Sequence, residues 1–367
     1  MKAFVQKFSE IRLGDNAGIG GKAALIGEIS STLKPLGINV PDGFAVNVAA
    51  FKYFFEYNKL EPGIQDLLNE TSFTSIDGPD HAAEKIRSLI MHSKFPPELE
   101  SAILSAYNDC FNGKDKSVAV RCSLAWEGYP FESFAGLHDS FLNINGPFAL
   151  IYSVKCCYAS LYMDIALKYR NKKGIPHNSV SMCICVQKMV RSDIACSGTG
   201  YLAGPVPGSP DTIHIVGSWG LGEFTKHPAV IPDEFRVFQP LNINGQPEIL
   251  KQMGSKSRMI VYNENAAGTN STIDITTPRE MRAEYVLSDD ELIQLSHWPG
   301  IIEQHFGVPM DFEWAKDGND KLLYLVAARP TVTTSFSPVT FQYPAKFSVY
   351  NTRKNTIFTI FGENTFR

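Results

Sequence analysis

The sequence lacks the cysteine and histidine patterns of disulfide-bonded and zinc-binding proteins. Its seven cysteines are odd in number and form no CxxC pair, and its eight histidines show no HxxxH spacing. We therefore expect reduced, mostly buried thiols rather than a disulfide framework or a zinc ribbon.

An excess of charge of one sign is also missing. The 34 Lys and Arg residues stand against 38 Asp and Glu residues, for a net charge of −4 with no basic run. Neither nucleic acid nor an acidic membrane surface is expected as the main partner. The first fifteen residues contain no apolar segment of the signal type, and no apolar stretch of eighteen residues is evident later. These absences predict a cytoplasmic protein that does not contact a membrane.

What the sequence does have is enough apolar content for a large core. Its 367 residues are 44% hydrophobic and 20% charged, which fits one large domain or two lobes around a cleft. Helical patterns at 21–33 and 147–170 alternate with strand patterns at 117–121 and 180–190, and short strands dominate from about residue 205. This order predicts an α/β (α+β) fold.

Glycine and proline cluster between residues 191 and 210, which is typical of a boundary between lobes. We predict lobe 1 at about 8–205 and lobe 2 at about 206–335, within one unit that covers 1–335. The tail, 336–367, has two β-rich segments. They form a possible hairpin, which either packs as an edge or serves as a docking surface.

A glycine-rich stretch, GIGGKA at 18–23, precedes the first long helix. No buried strand comes before it, as a dinucleotide-binding fingerprint requires, and Asn16 and Ala23 break the Walker A pattern. A lysine at a helix N-terminus can face phosphate oxygens together with backbone N–H groups. Lys22 is thus either a phosphate contact or part of a plain glycine turn.

Two arginines follow buried strand patterns, and two acids share one strand. Arg121 can present its planar guanidinium to phosphate oxygens, or it can pair with Glu127 or Glu132. Period-two alternation puts Asp311 and Glu313 on one face of a strand, with Arg329 on the return strand. Two neighbouring carboxylates indicate either Mg²⁺ carrying a nucleotide triphosphate or a solvent-facing hairpin edge.

Nine motifs, in this order and at this spacing, carry a resemblance to one family: GGKAALIGE, VPDGFAV, VAVRCS, SFAGLHDSFLNI, VQKMVRSD, SWGLGE, PDEF, PMDFEWAKDG and AARP. Over about 8–335 the chain resembles the N-terminal ATP-grasp nucleotide-binding domain of the phosphoenolpyruvate synthase (pyruvate, water dikinase) family. It is more distantly similar to pyruvate phosphate dikinase and rifampicin phosphotransferase. The resemblance implies a two-lobed ATP-grasp fold that uses ATP and Mg²⁺.

The resemblance also implies a role for each matching residue. The residues expected to bind or act on the triphosphate are Lys22, Arg121 and Arg329, with Gly136 and Ser140 in the glycine loop over the phosphates. The remaining matches are Gln187, Met189 and Val190 at adenine, Glu223 near the ribose, and Glu313 with Asp311 at the metal. Ala327 departs from the family, which usually has a metal-binding glutamine at this position.

The family pattern implies a dikinase reaction, ATP to AMP and phosphate. It passes a phosphoryl group to a histidine on a swivelling domain and then to a small-molecule acceptor. No such histidine loop occurs in this sequence, so a separate histidine-bearing domain or subunit is expected, as in phenylphosphate synthase. Two alternatives stay open: a standalone ATP-grasp kinase or ligase acting on a small molecule, and a nucleotide-binding protein with weak catalysis.

Overall fold

The computed structural model of the chain describes residues 4–73, 75, 77–111, 117–126, 140–203, 212–223, 230–238, 247–263, 271–331, 346–351 and 356–361. The α-helices in these ranges are α1 Asn16–Ile19, α2 Gly21–Thr32, α3 Val48–Tyr57, α4 Leu60–Asn69, α5 Gly78–His92, α6 Pro97–Cys110, α7 Pro147–Ser160, α8 Asp164–Lys173, α9 Arg279–Arg282, α10 Asp289–Ser296 and α11 Trp298–Phe306. The strands are β1 Val5–Lys7, β2 Gly43–Val46, β3 Val118–Trp126, β4 Ser140–Ile144, β5 Val180–Lys188, β6 Cys196–Ala203, β7 Thr212–Trp219, β8 Asp233–Phe238, β9 Glu248–Gln252, β10 Arg258–Tyr262, β11 Thr272–Thr276, β12 Met310–Lys316, β13 Leu323–Pro330, β14 Lys346–Asn351 and β15 Thr356–Phe361.

The first sheet is antiparallel, with strand order β1-β2-β5-β3-β4. Its central strand β5, VSMCICVQK, is buried along most of its length because both faces of the sheet are covered. Helices α3, α6 and α7 cover one face, where Val118 and Val120 enter their core. Helix α2 covers the other face, against Cys183 and Cys185.

The second sheet is also antiparallel, with order β13-β12-β6-β7-β8-β9. One face packs on α10 and α11 through large side chains that include Phe312 and Trp314. These rings fit because β6 has Gly198 and Gly200 beside them, where any Cβ would overlap the rings. The opposite face carries polar residues and forms one wall of a cleft.

The chain passes from the first sheet to the second between Lys188, the last residue of β5, and Cys196, the first of β6. The sequence predicted this passage at about residue 205, from the cluster of glycines and prolines. Two of those glycines, Gly198 and Gly200, lie instead within a strand of the second sheet. A glycine that accommodates an aromatic ring looks in sequence like a glycine in a linker.

Helix α2 packs between the two sheets, and its residues 23–29 are all buried. It contacts β3 and β5 on one side and β13 on the other. Glu28 of α2 accepts the Leu13 N–H at 3.0 Å and lies 2.9 Å from Nε2 of His305 on α11. Asn39 adds two hydrogen bonds to β13, one from its side chain to the Leu323 carbonyl and one from the Leu325 N–H. The sheets are therefore held together along their whole shared side.

The long helix predicted at 147–170 is two helices, α7 and α8, because the chain turns at 161–163. The buried guanidinium of Arg170 donates to the Leu161 carbonyl at 2.7 Å and stabilises this turn. The sequence was expected to contain no apolar stretch of eighteen residues. That expectation is wrong, because one eighteen-residue window within 147–173 has a mean hydropathy of 1.2. Within the fold, 61% of that window is buried, as in a core helix.

Candidate active site

Helix α2 begins directly on β3, and this contact positions Lys22. Gly20 has φ of +81°, and a Cβ there would overlap the Ser123 side chain. Ser123 Oγ in turn accepts the N–H of Ala23 at 3.1 Å. The exposed Lys22 therefore lies at the N-terminus of α2, beside the strand that carries Arg121.

Lys22 and Arg121 share one side of the first sheet. Cys185 lies opposite Arg121 in the β3–β5 pair. Burial raises the pKa of the Cys185 thiol to about 12, and the positive charges of Lys22 and Arg121 oppose that rise. Both cations are thus close enough to act on the same buried sulfur.

Arg121 reaches across the cleft to the second sheet. Its Nη1 lies 3.5 Å from Oε2 of Glu313, and the two side chains are 27% and 47% exposed. The sequence had offered Glu127 and Glu132 as alternative partners, and both lie outside the described residues. The partner found here comes from a strand almost two hundred residues later in the chain.

Strands β12 and β13 bring the other charged candidates together. Asp311 pairs with Arg329 and Glu313 pairs with Ala327 in the antiparallel register, so each pair shares a face. Nε of Arg329 lies 3.6 Å from Oδ2 of Asp311, and Thr331 Oγ1 donates to Oδ1 of Asp311 at 2.8 Å. Ala327, directly beside Glu313, offers no oxygen to a metal.

A small apolar cluster lies between the sheets at the end of β5. Ala119, Met189 and Leu221 form its buried part, and Leu142, Ile260 and Tyr262 pack against it. Gln187 is 4% exposed, and its Nε2 has no hydrogen-bond partner among the described residues. A buried amide donor without a partner costs free energy unless a ligand accepts its hydrogen bond. The apolar cluster and the buried Gln187 amide thus lie close together, since Gln187 pairs with Ala119 of the cluster across β3 and β5.

The other sequence candidates lie around these groups. Val190 is buried next to Met189, Ser140 is exposed and pairs with Arg121 across β3 and β4, and Glu223 is half-buried two residues after Leu221. Gly136 lies outside the described residues. No cluster of three or more His, Cys, Asp or Glu residues is found in the part of the chain that is described. Two hollows, of about 550 and 350 Å³, are lined by other residues and not by the charged candidates described above.

Sequence reasoning missed Asn143, which links the lobes above the apolar cluster. Its Oδ1 accepts from Ser117 Oγ at 2.8 Å, and its Nδ2 donates to the Ser271 carbonyl at 2.8 Å. Ser271 Oγ donates back to the Leu142 carbonyl at 3.2 Å. Asn143 has φ of +53°, a conformation that Asn tolerates better than most residues, but this angle cannot be read from the sequence.

A second missed pair, Tyr201 and His214, lies on the cleft face of the second sheet. Tyr201 is opposite Asp311, and its hydroxyl is 2.7 Å from Nδ1 of His214. His214 Nε2 is 3.5 Å from Glu234. Nothing in the spacing of these residues along the sequence indicated that they meet.

Comparison with known proteins defines the class. Residues 16–342 match the family described as pyruvate phosphate dikinase, AMP/ATP-binding domain. The chain therefore belongs to this family, and the ATP-grasp-type α/β fold expected from the nine motifs is confirmed.

The relatives compared here carry the name phosphoenolpyruvate synthase. The chain is 37% identical to phosphoenolpyruvate synthase of Neisseria meningitidis over 336 residues, which cover 90% of the chain and 42% of that protein. It is 37% identical to the synthase of Pseudomonas aeruginosa, over 93% of the chain and 43% of the relative. The synthase of Helicobacter pylori is 36% identical, over 95% of the chain and 44% of that relative. The chain thus spans less than half the length of the relatives it matches.

Proposed function

We propose that this chain binds ATP with Mg²⁺ between its two sheets and passes a phosphoryl group to a histidine on a separate domain or subunit. The 3.5 Å contact between Arg121 and Glu313 carries the proposal, because it brings a cation of one sheet to a carboxylate of the other. The reaction class is that of a dikinase, ATP to AMP and phosphate. A small molecule is the final acceptor.

The arrangement of polar and apolar groups supports ATP as the ligand. The apolar cluster around Met189 suits adenine, and the buried Nε2 of Gln187 can donate to a base nitrogen. Lys22, Arg121 and Arg329 are the donors for the phosphates, with Ser140 near them. Glu223, two residues from Leu221 of the cluster, is the proposed contact to the ribose.

The donor set at β12 fits Mg²⁺. Asp311 and Glu313 share one face, and each is held near an arginine rather than buried in the core. Mg²⁺ takes few carboxylates and completes its shell with water and phosphate oxygens, which such a pair allows. When bound, the ion would neutralise phosphate charge, while Arg121 and Arg329 orient the phosphate chain.

The length of the relatives supports a separate phosphoryl carrier. More than half of each relative has no counterpart in this chain. We assign lobe 1 to residues before the β5–β6 passage, lobe 2 to residues up to about 335, and a docking role to the β14–β15 hairpin, which forms a sheet of its own. A cytoplasmic location is part of the same proposal.

One observation favours a second candidate, a nucleotide-binding protein with weak catalysis. Ala327 stands beside Glu313, where the family resemblance implies a second metal ligand. A site with one fewer ligand holds the metal less firmly and stabilises less charge in a phosphoryl-transfer transition state.

The test is ATP binding by calorimetry in the presence of Mg²⁺. Arg121→Ala and Arg329→Ala should each weaken binding about tenfold to a hundredfold, because a charge-assisted hydrogen bond contributes about 1.5–3 kcal/mol. Arg87→Ala, on the remote helix α5, is the matched control. Equal affinities for all three variants and the unmodified chain would place ATP elsewhere.

A further inference from the structure

One row of polar side chains crosses the cleft face of the second sheet. On β13, β12, β6, β7 and β8 in turn, the row consists of Arg329, Asp311, Tyr201, His214 and Arg236. Neighbouring strands lie about 4.8 Å apart, so the strand of Tyr201 is about 10 Å from the strand of Arg329. The row therefore continues from a phosphate-binding candidate to groups that the ATP site does not use.

Tyr201 and His214 are the centre of a chain of contacts that ends at Glu234. The Tyr201 hydroxyl is 2.7 Å from Nδ1 of His214, and Nε2 of the same ring is 3.5 Å from Oε2 of Glu234. We assign the ring proton to Nε2, because a lone pair on that nitrogen would face a carboxylate oxygen. Nδ1 then accepts the tyrosine O–H, and the lone pairs of the tyrosine oxygen stay available to an O–H group in the cleft.

The proposed reaction needs an acceptor for one proton. When ATP becomes AMP and phosphate and one phosphoryl group goes to a histidine, water must take the other. The water oxygen bonds to the terminal phosphorus, the bond from this phosphorus to its bridging oxygen breaks, and the water gives up a proton. A side chain that accepts this proton must lie close to the terminal phosphate. Asp311 and Glu313 are assigned to the metal, which leaves this role to another group.

We propose that Tyr201 accepts the water proton and passes its own hydroxyl proton to Nδ1 of His214, while Glu234 stabilises the imidazolium that results. The inference rests on the proposed function and adds a site for the nucleophile to it. Tyr201 is the catalytic residue, and His214 and Glu234 are positioning residues. Burial and the charges of Asp311 and Glu234 raise the pKa of the Tyr201 hydroxyl, and Arg236 opposes that rise. The tyrosine therefore stays protonated near neutral pH, which suits a relay to the imidazole.

The experiment measures phosphate release from γ-labelled ATP by the chain alone, with Mg²⁺ present and the chain in excess. Water attacks the same phosphorus in ATP itself and gives ADP and phosphate. Tyr201→Phe and His214→Phe each keep a ring but remove the hydroxyl or the proton acceptor. We expect each variant to release phosphate about a hundredfold more slowly, the lower end of what a proton acceptor contributes. The affinity for ATP, measured by calorimetry, should stay within about twofold, because the lost interaction belongs to the transition state.

The pH dependence distinguishes proton transfer from packing. A protonated imidazole cannot accept a second proton, so release by the unmodified chain should slow as the pH falls from about 8 to about 5. His214→Phe should lose this dependence, which a variant that only loosened the sheet would keep. Tyr324→Phe is the matched control, because its hydroxyl donates to Asp320 at 2.7 Å in the turn between β12 and β13. Its rate should equal that of the unmodified chain.

The outcomes separate the inference from the proposed function. If Tyr201→Phe and His214→Phe, both folded by thermal melting, release phosphate as fast as the unmodified chain, the relay is wrong and the ATP site stands. The relay is also wrong if Tyr324→Phe slows release equally, if His214→Phe keeps the pH dependence, or if the unmodified chain binds ATP but releases no phosphate above the rate in buffer. Weaker ATP binding by both ring variants would assign these residues to nucleotide binding instead. If the unmodified chain binds no nucleotide, the proposed function itself fails.

Discussion

At the scale of single residues, the side chains at the cleft are held by partners from distant parts of the sequence. Ser123 fixes the start of α2 and hence Lys22, while Glu313 holds Arg121 across the cleft. Such contacts give each charged group a defined position before a ligand arrives, which lowers the entropy cost of binding. They also explain why three cations can share a cleft without ligand, since two of them have a carboxylate beside them.

The family resemblance implies a metal-binding glutamine at position 327, and the place of Ala327 in the sheet makes that difference testable. Because it pairs with Glu313 on one face, Ala327→Gln should place an amide oxygen beside that carboxylate. We expect the magnesium complex of ATP to bind more tightly, by about twofold to tenfold, with little change in EDTA. Ala327→Met, of similar volume but without the amide oxygen, is the control. Equal results for the Gln and Met variants, both folded, would show that the position does not reach the metal.

A buried ion pair between Lys256 and Asp233 holds the chain segment just before β10. Both side chains are fully buried, and Asp233 also accepts the N–H groups of Gly254 and Val286 at 2.8 and 3.0 Å. Lys256→Met would leave that carboxylate buried without its counter-charge. We expect unfolding in urea to show a loss of about 3–5 kcal/mol.

The matched control for this loss is an exposed pair. Lys34 and Asp42 form a lysine–aspartate contact at 3.2 Å with side chains 50% and 67% exposed. Lys34→Met should change the free energy of unfolding by about 1 kcal/mol or less. If Lys256→Met and Lys34→Met lower the free energy of unfolding by similar amounts, burial does not make the Lys256–Asp233 pair more important for stability.

At the scale of elements, the two-stranded β10–β11 sheet covers the apolar cluster from the second lobe. Ile260 and Tyr262 of β10 pack on the cluster, and Arg191 lies 4.7 Å over the Tyr262 ring. Asn143 and Ser271 tie the end of this hairpin to β4 through the bonds described above. Asn143 is thus one of several attachments of this hairpin, beside the packing on the apolar cluster and the backbone hydrogen bond from Leu221 to Ile260.

Asn143→Asp tests that attachment. The aspartate keeps the shape and tolerates the left-handed backbone, but it places an oxygen where Nδ2 donates to the Ser271 carbonyl. Amides of 258–262 and 272–276 should exchange hydrogen faster, by about fivefold or more, while β3 and β5 stay protected. Asn58→Asp, which removes similar amide-to-carbonyl bonds in the helical part, is the control. Unchanged exchange in the hairpin would show that packing alone holds it.

Element types were largely predictable, and their pairing was not. Local patterns indicated the strands later seen as β3, β5 and β12. The turn between α7 and α8 escaped prediction because residues 161–163 contain neither glycine nor proline. The meeting of Asn143 with Ser271 depends on two elements 128 residues apart, which no local pattern encodes.

At the scale of the whole molecule, two sheets and the helix between them bring charged residues of both sheets together. The order of nine motifs indicated the family, and with it the residues that the cleft brings together: Arg121, Glu313, Asp311 and Arg329. What the motifs could not supply was which of these charges pair with one another. That depends on the distance between the sheets, set by packing around α2 rather than by any motif.

The last prediction concerns the phosphoryl acceptor that the proposed function requires. A phosphoryl-transfer site gains its rate from positioning the nucleophile and stabilising charge, so a cleft supplied only with ATP should transfer label slowly, to water at best. We expect the chain, given ATP labelled at the β or γ phosphate, to release little AMP and, with pyruvate added, to form no phosphoenolpyruvate. Adding a separately expressed remainder of the Neisseria meningitidis relative should move label onto that protein. The same mixture with Arg121→Ala in this chain should label it far less. Steady AMP and phosphate release with a labelled small-molecule product from the chain alone would refute the need for a partner and favour a standalone kinase.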